Sequence, residues 1–289
     1  MINGNITIKD AIEKASFILS KIEDSRNEAI LLIGDVLGLE KAQIFSRFDY
    51  EINLKDYEEF IKKCELRNSG IPFQYITGHT EFMSLMFHVN ENVLIPRPET
   101  EFLVEIGLKY LREINEVSPR VLDLCTGSGC IGISVAKYFS GASIVSTDIS
   151  LDAIEVARKN SIENGVESQI EFVQSNMFDK IEGKFDLIIS NPPYIPSRDI
   201  PNLQIEVQNE PLIALDGGKD GFDYYKIIAD CGWDYLKHGG LIALELGINQ
   251  GTTVLDIFSF YHSNEYSFQI GKDYSGIERN LSIIKNCIQ

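Results

Sequence analysis

Val121-Leu122-Asp123-Leu124-Cys125-Thr126-Gly127-Ser128-Gly129-Cys130-Ile131-Gly132 is the stretch on which the reading of this chain turns. Val121–Leu124 is a short apolar run suited to a buried strand, and Cys130–Phe139 continues as an apolar helix. Gly127, Gly129 and Gly132 stand at G-x-G-x-x-G spacing between them. Glycine at such a junction permits a tight turn and lets backbone approach a ligand at a helix N-terminus. Asp148 follows at the end of the next predicted strand, where a carboxylate can accept from both hydroxyls of a ribose. The loop therefore reads as an adenine-nucleoside site. A nicotinamide dinucleotide, S-adenosylmethionine and a purely structural turn all remain open at this point. Asp123 could face an ammonium group or, through water, the methionine part of S-adenosylmethionine. An acidic chain also suits a sulfonium cation better than a pyrophosphate.

Working outward, strands and helices alternate. Ser143–Thr147, Ile170–Val173, Phe185–Ser190 and Leu241–Glu245 read as further strands. Leu151–Asn164, Asp220–Leu236 and Gln250–Tyr261 read as helices, and Phe268–Ile270 with Leu281–Lys285 as a terminal strand pair. This order predicts a doubly wound, mostly parallel sheet with an antiparallel C-terminal strand, binding ligands beyond the carboxyl ends of its strands. Upstream, Pro96-Arg97-Pro98-Glu99-Thr100-Glu101 opens a helix reaching about Arg112, with proline and acids where a first turn prefers them. Phe82, Leu85, Phe87 and Val89 roughly alternate, so Phe73–Ile95 is expected to be strand-like, a hairpin joining two domains. Before it, apolar residues recur at helical spacing (Ile8, Ile12, Ala15, Phe17, Ile18; Ala29, Leu32, Ile33, Val36, Leu37; Tyr57, Phe60, Ile61, Cys64). The expected organisation is a helical domain over 1–70, a hairpin linker over 71–95 and an α/β domain over 96–289.

Composition bounds the rest. The 289 residues are 44% hydrophobic and 24% charged, ordinary for a globular protein, and no apolar run approaches a membrane span. Residues 1–10 lack the basic start and apolar stretch of a secretory signal. Five cysteines without C-x-x-C spacing read as reduced thiols in the cytoplasm. Residues 1–90 carry 10 Lys/Arg and 14 Asp/Glu, and the remainder 16 and 29. An excess of acid concentrated in the α/β region disfavours a nucleic-acid substrate, which needs a basic patch.

Asn191-Pro192-Pro193-Tyr194 follows the Phe185–Ser190 strand directly. Both prolines lock φ and restrict the residue before them, giving a stiff loop that presents carbonyl acceptors. Asn191 adds a side-chain oxygen, and Tyr194 a flat apolar face with a polar tip. Such an edge suits a planar –NH2 group. The nitrogen of an amide is a poor nucleophile because its lone pair is delocalised. Asn191 Oδ1 and the Pro192 carbonyl can hold both N–H bonds out of conjugation and aim the lone pair at a methyl for in-line displacement.

These segments together resemble a class I S-adenosylmethionine-dependent methyltransferase, and more narrowly the HemK/PrmC family of peptide chain release factor glutamine methyltransferases. The likeness runs through Pro72–Gly78, Val93–Glu101, Asp123-x-x-Thr126-Gly127-Ser128-Gly129, Asn191–Pro196 and Glu210–Gly218. The resemblance implies a Rossmann-like fold that methylates the glutamine amide nitrogen in the Gly-Gly-Gln tip of class 1 release factors, with S-adenosylhomocysteine as product. It implies that Cys125, Thr126, Gly127, Ser128, Gly129 and Asp148 hold the cofactor, with Asn176 and Met177 along the adenine. Asn191, Pro192, Pro193 and Tyr194 would hold the glutamine, with Arg97 near substrate or simply starting its helix. The helical domain would help to hold the release factor. Cys125 stands where the family usually has glycine, Met177 where a larger aromatic is common, and Ile205 where a proline is common.

His79, His88, His238 and His262 share no metal-ligand spacing, and no metal is expected. Asp216-Gly217-Gly218-Lys219-Asp220-Gly221 reads as a turn. Glu245 ends a strand on the ligand side, which leaves a cofactor-proximal role open. Three competing functions are weaker. An enzyme modifying exocyclic amines of adenine or guanine would need a basic groove. A nicotinamide oxidoreductase leaves the Asn-Pro-Pro-Tyr loop unexplained, and a non-catalytic adaptor would not need it. The expectation is a cytoplasmic, monomeric enzyme acting on release factors, without direct nucleic-acid or membrane contact.

Overall fold

The computed structural model describes residues 6–262, 266–273 and 276–286, so Cys287 and the first five residues lie outside the description. The chain divides into two compact units. One holds the residues up to Gly78 together with Gln204–Asn209, the other His79–Leu203 and the residues from Glu210 onward.

The first unit runs β1 (Ile6–Thr7), α1 (Ile8–Ile18), α2 (Ser25–Leu37), α3 (Lys41–Phe45), β2 (Glu51–Ile52), α4 (Leu54–Asn68) and α5 (Phe73–Thr77). α1, α2 and α4 begin at side-chain caps that accept otherwise orphaned N–H groups. Thr7 Oγ1 accepts from the Asp10 N–H at 3.1 Å and Asn53 Oδ1 from the Asp56 N–H at 2.9 Å. Ile8, Ile12, Ala15, Leu19, Ala29, Leu32, Ile33, Phe60 and Cys64 form its core. Phe17, expected on the core face, is 85% exposed. It lies off the stripe of Ile8, Ile12, Ala15 and Leu19, which already covers the buried side of α1. The turn Phe73–Thr77 is helical where a strand-like run was expected, opened after Pro72 and closed by Gly78 at φ 80°. The excursion Gln204–Asn209 is bound within this unit. Glu206 pairs with Arg67 Nη1 at 2.9 Å, and Asn209 Nδ2 donates to the Gly70 carbonyl at 3.1 Å. A Cβ on Gly70 (φ 101°) would fall 2.7 Å from Ile205 Cγ1, so glycine makes room for that side chain.

The second unit begins with the hairpin β3 (His79–Phe82) and β4 (Leu85–His88). Met83 and Ser84 turn it with φ of 52° and 56°, left-handed values that match the strand twist. Next come α6 (Pro98–Glu113), β5 (Arg120–Leu124), α7 (Cys130–Tyr138), β6 (Ser143–Asp148), α8 (Leu151–Glu163), β7 (Ile170–Gln174) and β8 (Phe185–Ser190). The excursion carries α9 (Ile205–Gln208). The chain ends with α10 (Leu212–Leu215), α11 (Asp223–Tyr235), β9 (Leu236–Glu245), α12 (Gly251–Tyr261), β10 (Tyr266–Lys272) and β11 (Glu278–Lys285).

The seven-stranded sheet has the order β10-β11-β9-β8-β5-β6-β7. β7, β6, β5, β8 and β9 are parallel, and β11 and β10 are antiparallel to their neighbours. Alternate residues supply two cores: Val121, Leu187, Ile189 and Ala243 meet α6 and α7 on one face, and Leu122, Ile188, Ile242 and Leu244 meet α11 and α12 on the other. A parallel sheet buried on both faces explains why its strands read as apolar runs. β9 starts five residues before the expected Leu241, because Leu236 already pairs with Phe185 and the pairing resumes at Leu241 after a bulge in which Gly239 takes φ 78°. α11 starts at Asp223 rather than Asp220, since Gly218 and Gly221 at φ 87° and 81° hold the preceding residues in a turn. The order reverses between β5 and β8, so loops leaving those strands flank a crevice at their carboxyl ends. Among the described residues no helix is long and apolar enough to cross a membrane.

Candidate active site

The glycine loop leaves β5 with Cys125, Gly127 and Gly129 at positive φ (59°, 54° and 83°). Three of its amides donate within the protein. Thr126 N–H donates to the Thr147 carbonyl at 2.8 Å, Gly129 N–H to the Thr126 carbonyl at 2.8 Å, and Gly127 N–H to Asp148 Oδ2 at 2.9 Å. Asp123 lies fully buried beneath the loop. Its Oδ2 accepts from the Thr126 hydroxyl at 2.5 Å, Gly132 N–H at 3.1 Å and the Ser146 hydroxyl at 3.3 Å. Burial pushes this carboxyl up to about 7, and its Oδ1 is buried with no hydrogen-bond partner among the described residues. Gly132 is required for close packing, because a Cβ there would fall 2.6 Å from Ser146 Oγ and 2.8 Å from Asp123 Oδ2. Asn160 ties the loop to the hairpin, donating to the Ser128 and His88 carbonyls at 2.8 and 3.0 Å.

A cleft of about 670 Å³ opens over this loop, walled by Cys125, Gly127, Asp148, Asn176, Met177, Asn191 and Pro193 among the residues expected from sequence. Asp148 Oδ1 accepts from the Ser150 N–H at 2.9 Å while Oδ2 takes Gly127, and burial raises this carboxyl too. Cys125 Sγ lies 3.8 Å from Met177 Sδ, and burial pushes its thiol up, which disfavours the thiolate. Asp123, Thr126, Ser128, Gly129, Pro192, Tyr194 and Arg97 do not line the cleft. Sequence reading gave no site role to Asn92, Val93, Leu94, Ile213, Ala214 or Tyr224, which do. The only signal for most of them was that Val93-Leu94 and Ile213-Ala214 fall in the segments of resemblance.

The second loop leaves β8 at Ser190, whose hydroxyl donates to the Leu124 carbonyl at 2.7 Å and pins the two strand ends together. Asn191 Nδ2 donates to Thr100 Oγ1 at 3.2 Å, and the Thr100 hydroxyl donates to Glu245 Oε2 at 2.6 Å. The Tyr194 hydroxyl reaches Glu245 Oε1 at 3.4 Å, so its ring packs behind the loop. Glu245 is buried at the end of β9, and burial pushes its carboxyl up to about 7. The loop is braced from below: Ile195 N–H donates to the Leu215 carbonyl at 3.0 Å, Gly217 N–H to the Ile195 carbonyl at 2.9 Å, and Gln250 Nε2 to the Tyr194 carbonyl at 2.9 Å. A Cβ on Gly217 would stand 2.7 Å from Tyr194 Cα, and one on Gly221 2.4 Å from the Tyr194 carbonyl oxygen. The Asp216–Gly221 turn therefore seats the Asn-Pro-Pro-Tyr loop, and Asp216 spends its carboxylate on the Ser197 hydroxyl and Gly218 N–H. Arg97 pairs with the buried Glu210, which also accepts from the Ile95 N–H at 3.0 Å. Among the described residues no group of His, Cys, Asp or Glu is gathered to hold a metal.

Two family models match the chain: "Methyltransferase small domain" over residues 102–206 and "PrmC N-terminal domain" over residues 10–78. The chain is 38% identical over 284 residues to a release factor glutamine methyltransferase of Clostridium acetobutylicum, covering 96% of this chain and 98% of that protein. It is 39% identical to the protein of the same name in Chlorobaculum tepidum, covering 93% of each. A solved methyltransferase structure from Pyrococcus furiosus shares the fold, with a TM-score of 0.51 at 20% identity over 71% of this chain and 91% of that one.

Proposed function

The chain belongs to the release factor glutamine methyltransferase family, and on that premise we propose that it transfers a methyl group from S-adenosylmethionine to a glutamine side-chain amide nitrogen, in the Gly-Gly-Gln motif of class 1 release factors. The observation that carries the reading is Asn191. It lines the cleft, and its Nδ2 is engaged by Thr100, which leaves Oδ1 as the end available to accept a proton donor.

The cleft residues suit an adenosyl sulfonium better than a dinucleotide. A pyrophosphate needs free loop amides at a helix N-terminus. Here the Thr126, Gly127 and Gly129 amides already donate within the protein, and the buried Asp123 carboxyl occupies the underside of the helix start. Asp148 retains lone pairs for a ribose diol, and Met177 offers a polarizable face to adenine. When bound, S-adenosylmethionine supplies an electrophilic methyl on sulfur and leaves as S-adenosylhomocysteine, with no metal in the proposal.

The chain's own residues prepare the nucleophile. Asn191 Oδ1 and the Pro192 carbonyl accept the two N–H bonds of the substrate amide, twisting its nitrogen out of conjugation and aiming the lone pair for direct displacement. Pro192 and Pro193 keep that edge stiff, so its orientation is established before substrate arrives. No general base is needed before transfer, because the methylated amide nitrogen is strongly acidic and sheds its proton afterwards. The acid excess, 29 Asp/Glu against 16 Lys/Arg beyond residue 90, favours a protein substrate over a polyanion.

The test is methyl transfer to purified release factor in the cytoplasmic redox range, followed by tandem mass spectrometry of the Gly-Gly-Gln peptide. One methyl on the glutamine amide is expected from wild type. Asn191→Ala should bind cofactor yet lose on the order of 10²–10³-fold in kcat. Methylation of an exocyclic amine in RNA or DNA, with none on release factor, would overturn the reading.

A further inference from the structure

Asparagine is an ambiguous acceptor. Half a turn about its last bond exchanges the oxygen for an NH2 group, and two N–H donors would then face the N–H bonds of the substrate. An acceptor role for Asn191 therefore requires something to choose the amide end, and neither proline can do so. Thr100 sits at the third position of α6, 2% exposed, with its backbone N–H donating to the Arg97 carbonyl at 3.0 Å. Its hydroxyl has a single proton, directed at Glu245 Oε2 at 2.6 Å. With that proton committed, Oγ1 can only accept, and the one group of Asn191 that can donate to it is Nδ2, found at 3.2 Å.

We infer that Thr100 is a positioning residue which, with its proton held by Glu245, selects the amide end that Asn191 turns to the substrate. The inference rests on the acceptor role proposed for Asn191. Glu245 is the far anchor when it is ionised, above about pH 7, because a carboxylate accepts and never donates. Facing it are Thr100 on α6, the Tyr194 hydroxyl of the acceptor loop, and the charges of Arg279 on β11 and Glu99 on α6; the Tyr225 hydroxyl of α11 takes its backbone carbonyl at 2.8 Å. A protonated Glu245 could donate to Thr100 Oγ1, freeing the threonine proton for Asn191 Oδ1 and allowing the amide to turn.

Thr100→Val keeps the shape and removes the hydroxyl, while Thr100→Ser keeps the hydroxyl. In the full chain, Thr100→Val should lower kcat for release factor methylation by on the order of 10–100-fold, with KM for both substrates and the melting temperature nearly unchanged. Thr100→Ser should restore most of kcat. A second readout does not depend on turnover: the 1H–15N signals of the Asn191 side-chain amide should move in Thr100→Val and return in Thr100→Ser. Wild-type kcat and unmoved Asn191 signals in Thr100→Val, or equal loss in both variants, would overturn the inference. If Asn191 responds as expected while wild type methylates no release factor, the proposed function fails and the positioning role stands.

Discussion

The two loops that meet over the cleft are built in opposite ways. The glycine loop is nearly self-contained, and Asp123 reaches Thr126 and Gly132 only three and nine residues away. The Asn-Pro-Pro-Tyr loop depends on distant chain: Asn191 to Thr100 spans 91 residues, Thr100 to Glu245 spans 145, and Tyr194 to Gln250 spans 56. The loop proposed for the nucleoside is a local motif, whereas the loop proposed for the amide is an assembly that only the folded sheet holds together. The glycines make the same point. Gly127 takes φ 54° with nothing within 4 Å of an added Cβ, while Gly217 has an unremarkable φ but no room, its Cβ falling 2.7 Å from Tyr194 Cα.

That contrast can be broken experimentally, most severely at Gly217. Gly217→Ala forces backbone apart beneath Tyr194 and should cost about 2–4 kcal/mol by urea unfolding, with kcat falling alongside. Gly127→Ala should cost only about 1–2 kcal/mol of left-handed strain, with its functional effect on cofactor Kd rather than on kcat. Equal effects at the two positions would erase the distinction between local and assembled loops.

A second, smaller effect lies in pH dependence. Burial raises Asp123 and Glu245 from 3.8 and 4.5 to about 7, so the folded chain holds protons that the unfolded chain has released. Their contribution to stability is therefore full below about pH 4 and is lost as pH rises toward 7. Asp123→Asn can keep the three hydrogen bonds on its oxygen while removing the buried charge. Thermal melts of the cofactor-free chain should then fall less steeply between pH 5 and 8 than in wild type, by on the order of 1–3 kcal/mol across the range. An unchanged slope would mean that Asp123 titrates near its ordinary range. The smallest effect is expected at Cys125, which holds φ 59° with a side chain. Cys125→Gly should relieve that strain and raise stability by up to about 1 kcal/mol, unless lost contact with Met177 at 3.8 Å cancels it in a denaturant melt.

The doubly wound sheet, the glycine loop and the acid that ends β6 were legible because each is written in contiguous residues: apolar runs, glycine spacing and strand–helix alternation. Phe185–Ser190 matches the strand read from sequence, and its carboxyl end was legible because Pro192 and Pro193 leave no way to continue it. The helix over Phe73–Thr77 and the exposure of Phe17 were not legible, because a single turn has too little period to read and a stripe does not reveal its limits. Tyr194 was recognised, but its ring packs behind the loop against Glu245 rather than along the cleft. Thr100 was given no site role, although it falls in the Val93–Glu101 segment of resemblance, because it stands in a run that any helix start would explain.

By itself, then, the sequence determined which groups are present: a glycine-rich turn, a carboxylate at the end of the next strand and a stiff proline edge, for which the nucleoside, ribose and acceptor roles are proposed. Which way Asn191 faces was decided only by the tertiary structure. A hydrogen bond has direction, and the proton that sets this one lies on a threonine in α6, held by a glutamate at the end of β9. Apolar periodicity and turn chemistry act over a few residues and so are written locally. The orientation of a buried amide is set by whichever groups the sheet brings beside it.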